Sequence, residues 1–245
     1  MSDMSAGHED DPRFETRYVE RFEDTGDGGA VTLLGVVHDH PASVYRVRRV
    51  VERVDPDVLA LELPPLAVPL YEAYAAEAAS PPAHGGELSA AVRAAETDDV
   101  VGIDGPSMGF VRQLAGRLAR ERASRTTVSR SLRSLASITK TAVACRAAAT
   151  VTRYTPLTVA VGSATPHETT RADPAAEQAA DERRQIRTAR AVMDAFETSP
   201  TSRYRSESRE RHMADRLEAV RTRGDVVAVV GAGHFDPLCA HLDEQ

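Results

Sequence analysis

Two histidines stand in matching contexts near opposite ends of the chain, in Gly35-Val36-Val37-His38 and in Gly231-Ala232-Gly233-His234. Each motif closes an apolar run, 31–37 and 226–230, that reads as a buried strand, and glycine lets the backbone turn tightly there. Two further apolar runs end at or beside acids. Glu62 follows Val58-Leu59-Ala60-Leu61, and Asp104 follows Val100-Val101-Gly102-Ile103. Two imidazoles and a carboxylate are the usual ligand set of a catalytic divalent metal, which keeps one position open for water and lowers its pKa toward ~7. His38 and His234 are therefore candidate metal ligands, with Glu62 as third ligand or general base. The expected chemistry is attack of the bound hydroxide on a carbonyl.

Arg209 shares a helical face with Met213, Leu217 and Val220. An arginine extending an apolar stripe is expected to point at an acid or to hold a substrate carboxylate or a developing oxyanion. Asp39 and His40, directly after His38, are candidates for an additional ligand or base, with Asp39 alternatively an acceptor that orients a ligand histidine. Asp104 is a catalytic candidate and equally a helix cap. Glu87, after a double glycine, reads as a solvent-facing residue at a helix start. His84 and His167 lie in polar loops, His212 lies on an exposed-looking helix, and none of the three is assigned a role.

These residues need a frame that gathers strand ends. In open α/β sheets, ligands collect in the crevice outside the carboxyl ends of parallel strands. After His38, Pro41 suits a first helical turn, and Val44, Val47, Val50, Val51 and Val54 recur on one face until Asp55-Pro56 stops the helix. Strand, helix and the strand at 58–61 form a βαβ unit, whose right-handed crossover brings Glu62 near His38. Prolines 64–65 and the 81–86 stretch bracket an alanine-rich helix, and 87–96 reads as another helix leading into the strand at 100–103. Further on, 154–161 reads as a short strand, 163–174 as an exposed loop, and 174–196 and 206–223 as helices. The reading is an α/β fold: one domain with a parallel-rich sheet, βαβ units and a largely helical central insertion at about 107–200.

Composition bounds the rest. At 245 residues with 42% hydrophobic content, the chain suits one domain, 17–245, behind a flexible acidic tail, 1–16. A net charge of −7 gives no reason to expect nucleic acid as partner. Cys145 and Cys239 form no CxxC pair, which indicates neither a zinc knuckle nor a disulfide framework. No signal peptide and no membrane span is readable, so a cytoplasmic location is expected. Between positions 111 and 153 there are ten basic residues and one acid, Glu121, with Val128, Leu132, Leu135 and Ile138 at helical spacing. The first reading is a helical insertion packed by that apolar stripe with its arginines in solvent. Its rival is a surface for anionic membrane or for self-association.

Taken together, these residues resemble the TraB/PrgY/GumN family, which is related to the Tiki proteins. The resemblance rests on Leu34-Gly35-Val36-Val37-His38, the stretch from Asp55-Pro56-Asp57 to Leu61-Glu62-Leu63, Gly86-Glu87-Leu88, Asp104, Arg209-Glu210 before Met213-Ala214, and Val229-Val230-Gly231-Ala232-Gly233-His234. It implies an α/β fold shared with erythromycin-esterase-like and haem-binding ChaN-like proteins. It also implies a metal-dependent, peptidase-like hydrolase centred on His38, Glu62 and His234, with Glu87 and Glu210 as secondary candidates. Glu210 stands where an aspartate or asparagine is usual. The expected cofactor is manganese, cobalt or zinc, and the expected substrate a peptide or another small carbonyl compound. Two rivals use the same cleft: a non-catalytic, peptide-sequestering protein of the pheromone-shutdown type, and a haem or small-ligand carrier with the histidines as axial ligands.

Overall fold

In a computed structural model, the chain is described for residues 11–14, 16–23, 26, 28–105, 111, 115–116, 118, 120, 125–155, 157–161, 165–196 and 200–243. Five strands, β1 (Val19–Phe22), β2 (Val31–Val36), β3 (Val58–Leu61), β4 (Val100–Gly102) and β5 (Val226–Gly231), form one sheet in the order β1-β2-β5-β3-β4. β2, β5, β3 and β4 run parallel, and β1 closes the edge antiparallel to β2. The α/β class and the parallel-rich sheet agree with the sequence reading. β1 is an addition: the sequence reading takes 31–37 as the first core element, and VERF pairs antiparallel with the edge of β2 ahead of it.

The centre of the sheet is apolar on both faces, as strands covered by helices on each side must be. Val227 and Val229 of β5 face one helical layer, made by α1 (Pro41–Val54), α2 (Val68–Ala75), α3 (Gly86–Ala94) and α4 (Arg125–Tyr154). Val226, Ala228 and Val230 face the other, made by α6 (Pro200–Arg221) and α7 (Ala232–Asp243). Each valine of β5 is fully buried and contributes roughly 1.5–3 kcal/mol of transfer free energy. α5 (Ala175–Phe196) packs chiefly on α1.

Two elements depart from expectation. α4 docks through Ala142, Cys145, Ala148 and Ala149, while Leu132 of the predicted stripe is 60% exposed. The small residues of its second half lie close to α2, and that contact outweighs the larger side chains of its first half. Residues 157–161 are not a strand; they run alongside α2, where the Tyr74 hydroxyl donates to the Val159 carbonyl (2.7 Å). Of the acidic tail, 1–10 and 15 lie outside the described residues, and Arg13 stacks 3.6 Å above the Tyr45 ring of α1. Among the described residues no helix is long and apolar enough to cross a membrane, and both cysteines are free thiols.

Candidate functional site

Four parallel strands end on one edge of the sheet, and each places a polar residue just beyond its last ladder position. β2 leads to His38, β3 to Glu62, β4 to Asp104 and β5 to His234 in the first turn of α7. β5 lies between β2 and β3. Its terminal Gly231 therefore separates His38 from Glu62, and a Cβ there would sit 3.3 Å from both His38 Nε2 and Glu62 Oε2. Glycine leaves the space in which those two groups face each other, and the Gly231 N–H donates to Glu62 Oε2 (2.6 Å).

Arg209, on α6, supplies the cation expected from the sequence. Its Nε and Nη2 donate to the two oxygens of Asp104 (2.9 and 2.8 Å), and Nη2 also donates to Glu62 Oε1 (2.8 Å). A two-pronged guanidinium–carboxylate contact of this kind fixes orientation as well as charge. Burial opposes the charge on Arg209, but Asp104 and Glu62 outweigh it and raise its pKa. The third prong, Nη1, donates to His234 Nε2 (3.1 Å). That nitrogen must then carry the lone pair, and Nδ1–H donates to Glu210 Oε1 (3.1 Å). Asp104 also accepts from the Gly105 N–H (2.7 Å); the residues that follow, 106–110, on which its expected role as a helix cap rests, lie outside the described residues.

His38 is held in the same manner by a different acid. Its Nδ1–H donates to Glu87 Oε1 (2.7 Å), and the Asp39 N–H donates to Glu87 Oε2 (2.8 Å). The hydrogen bond to Glu87 raises the His38 pKa to about 9, against the effect of burial and with Glu62 and Asp39 adding attraction. Glu87 is thus no solvent-facing residue: it is 1% exposed, in the first turn of α3. Gly85 and Gly86, at φ +78 and +53, turn the chain so that this carboxylate reaches the His38 loop. A Cβ on Gly86 would lie 2.2 Å from Asp39 Oδ1.

The other candidates next to His38 have different partners. His40 is fully buried; its Nδ1 accepts from the Ala42 N–H (3.1 Å), capping α1, and Nε2–H donates to Asp181 Oδ2 (3.2 Å). It is therefore a structural link to α5 rather than an additional ligand or base, and burial lowers its pKa. Asp39, at φ +62, accepts from the Thr165 N–H (3.3 Å) and does not orient a histidine. Behind this loop, Arg46 donates to both oxygens of Glu182 (2.8 and 2.9 Å) and to the Gly35 carbonyl (3.0 Å), which anchors α5 beneath the turn. Ser43 donates to Glu182 and accepts from the Val37 N–H (2.9 Å).

A cavity of about 570 Å³ opens onto His38 and Glu62. Its walls include four residues that sequence reasoning passed over: Tyr71, Tyr74, His84 and Arg171. Tyr71 and Tyr74, three apart in the alanine-rich helix, were the available signal. The Tyr71 hydroxyl has no hydrogen-bond partner among the described residues, and burial raises its pKa, which keeps it a donor. His84 Nδ1–H donates to Glu77 (2.7 Å), and His167 Nε2–H donates to the His38 carbonyl (3.0 Å), so both histidines have structural work near the site. His212 is 4% exposed rather than on the surface.

The site as it stands is a cluster of charge-compensated acids and two histidines, each oriented through Nδ1 by a buried carboxylate. Among the described residues no group of three or more histidine, cysteine or acidic side chains is placed to hold a metal ion; Arg209 lies against Glu62, Asp104 and His234. No protein-family model, curated protein or solved structure matches the chain.

Proposed function

We propose that the chain is a divalent-metal-assisted hydrolase of amide or ester bonds, and that it belongs with the TraB/PrgY/GumN proteins its sequence resembles. The observation that carries the reading is the pair of carboxylate-oriented imidazoles. His38 and His234 each give Nδ1 to a buried acid, Glu87 or Glu210, and present Nε2 beside Glu62. Metal-ligating histidines almost always carry such a partner on the second nitrogen, which sets the tautomer and raises ligand basicity.

Two imidazoles and a carboxylate are donor types that suit manganese, cobalt or zinc, and Arg209 would have to leave Glu62 and His234 before they could close on an ion. His234 Nε2 and Glu62 Oε1 are 3.6 Å apart, and the Gly231 space keeps Glu62 and His38 open to each other. A metal held by His38, His234 and Glu62 would supply a water of lowered pKa and polarise a carbonyl. The chain's own residues do the rest. Glu62, paired with Arg209, takes up a proton or completes the ligand set. Arg209 turns Nη1 from His234 to a substrate oxygen on which charge develops, while Asp104 holds its other face. Tyr71 donates from the cavity wall, and Leu63, Leu88 and Val161 keep that wall apolar and limit water.

A second reading, peptide binding without cleavage, draws on Arg209 as the permanent cation between Glu62, Asp104 and His234. The deciding experiment is elemental analysis of untagged protein and of His38→Ala, His234→Ala and Glu62→Ala, followed by a peptide and ester panel with the metal found. Near-stoichiometric metal lost in the histidine variants, with turnover lost alongside it, is expected. No metal uptake by folded wild type, with no bond cleaved, overturns the hydrolase and leaves the binder.

A further inference from the structure

A second, smaller recess of about 130 Å³ adjoins the large cavity, and Arg171 borders both. The recess is a mostly apolar slot walled by Pro41, Val44 and Tyr45 of α1 and by Pro81. An apolar cavity of about 150 Å³ takes benzene, so this slot suits a branched aliphatic side chain.

Three features of the polar groups here point to one kind of ligand. The Arg171 guanidinium forms no ion pair with any described residue, and its one hydrogen bond among them is a long one to the Pro82 carbonyl (3.4 Å). Burial lowers its pKa, and Asp39 acts against that shift without reaching it. The other arginines bordering the slot, Arg13 and Arg48, already have acids of their own, Asp11 and Glu52. Gln178, also at the slot and 1% exposed, donates through Nε2 to the Asp173 carbonyl (2.7 Å) and at 3.5 Å to the Arg171 carbonyl, while its buried Oε1 has no partner among the described residues. Among the described residues, a cation without an ion-pair partner, an acceptor without a donor and a mostly apolar slot stand together.

We infer that Arg171, Gln178 and the slot form a subsite for the carboxyl-terminal residue of a peptide or an N-acyl amino acid. The carboxylate pairs with Arg171, the aliphatic side chain fills the slot, and the amide N–H donates to Gln178 Oε1. The placement of the bond to be cut, in the adjoining cavity toward His38 and Glu62, rests on the hydrolase reading; the binding does not.

Calorimetric titration of the whole chain with N-acetyl-L-leucine, N-acetyl-L-leucinamide and N-acetylglycine tests this, with chelator present so that turnover plays no part. N-acetyl-L-leucine is expected to bind about tenfold or more tighter than its amide, because a charge-assisted hydrogen bond is lost, and similarly tighter than the glycine compound. Arg171→Gln is expected to weaken the acid about tenfold and erase the acid-to-amide difference, with Arg171→Lys in between. Arg171 is an exposed loop residue, so folding is not at stake. No binding of N-acetyl-L-leucine, equal binding of acid and amide, or unchanged binding in Arg171→Gln overturns the subsite. Acid-selective binding in a protein that cleaves nothing retains the subsite and removes the hydrolase. Ester cleavage without acid selectivity does the reverse.

Discussion

Replacing Arg209 by methionine removes the only guanidinium among the described residues in contact with both Glu62 and Asp104 while keeping the apolar bulk of the side chain. Four hydrogen bonds go: two to Asp104, one to Glu62 and one to His234. Each acid keeps one backbone donor, Gly231 for Glu62 and Gly105 for Asp104, but their side chains are only 7% and 11% exposed and cannot recover water in exchange. Breaking a buried pair from one side costs about 3–5 kcal/mol, because the stranded charge remains in a poorly solvated place. At about 2.1 cal/mol/K per residue, a chain of 245 residues has an unfolding entropy of roughly 0.5 kcal/mol/K, so the expected fall in Tm is about 6–10 °C. Chemical denaturation measures the free energy and calorimetry the Tm. The double variant Arg209→Met/Asp104→Asn is expected to recover at least about 1 kcal/mol of the single variant's loss, since one stranded charge has gone. A loss under about 1 kcal/mol in the single variant, or strict additivity in the double, would refute the claim that this guanidinium is what makes the acid cluster tolerable.

The same variant is expected to take up manganese or zinc more tightly than wild type, because Arg209 no longer competes for Glu62 and His234; unchanged uptake by equilibrium dialysis contradicts the shared-position argument. Glu87→Gln removes the main cause of the raised His38 pKa, and NMR titration of the metal-free protein is expected to bring His38 from about 9 back toward 6.5. A histidine pKa raised by folding stabilises fully below its unfolded value and loses that contribution as pH rises through the folded one. Wild type should therefore lose stability between pH 6.5 and about 9, by about 1 kcal/mol or less because the half-exposed imidazole is screened by water, and Glu87→Gln should show a flatter slope. Gly231→Ala places a methyl 3.3 Å from Glu62 Oε2 and His38 Nε2, and is expected to cost about 1–3 kcal/mol and to displace both groups, checked by denaturation and crystallography. Glu182→Leu strands the fully buried Arg46 at about 3–5 kcal/mol, and hydrogen exchange should show lost protection in the first half of α5; intact protection there disproves its anchoring role.

Much of the frame was readable along the chain. Strands β2, β3, β4 and β5 announce themselves as apolar runs with punctuation at each end, and α1 as a valine stripe between Pro41 and Asp55. Those are short-range signals, set by the two-residue and 3.6-residue periods of elements that bury one face or both. Edge strand β1 carried no such signal, since its central Glu20 and Arg21 face solvent. The long basic helix α4 misled for a related reason: its alanines, not its leucines, meet the domain.

The residues that end the strands, His38, Glu62, Asp104 and His234, and the reach of Arg209 toward acid, follow from the order of residues alone, because a parallel sheet collects strand ends on one edge whatever the order of its strands. The tertiary structure decided the rest. It placed β5 between β2 and β3, so that Gly231 became the space between a histidine and a glutamate. It turned Glu87 inward to His38 and Glu210 to His234, and it gave His40 to Asp181. These pairings join positions from 24 to 141 residues apart. No local period encodes them: a buried charge takes whichever opposite charge or hydrogen-bond partner the packed layers bring within reach.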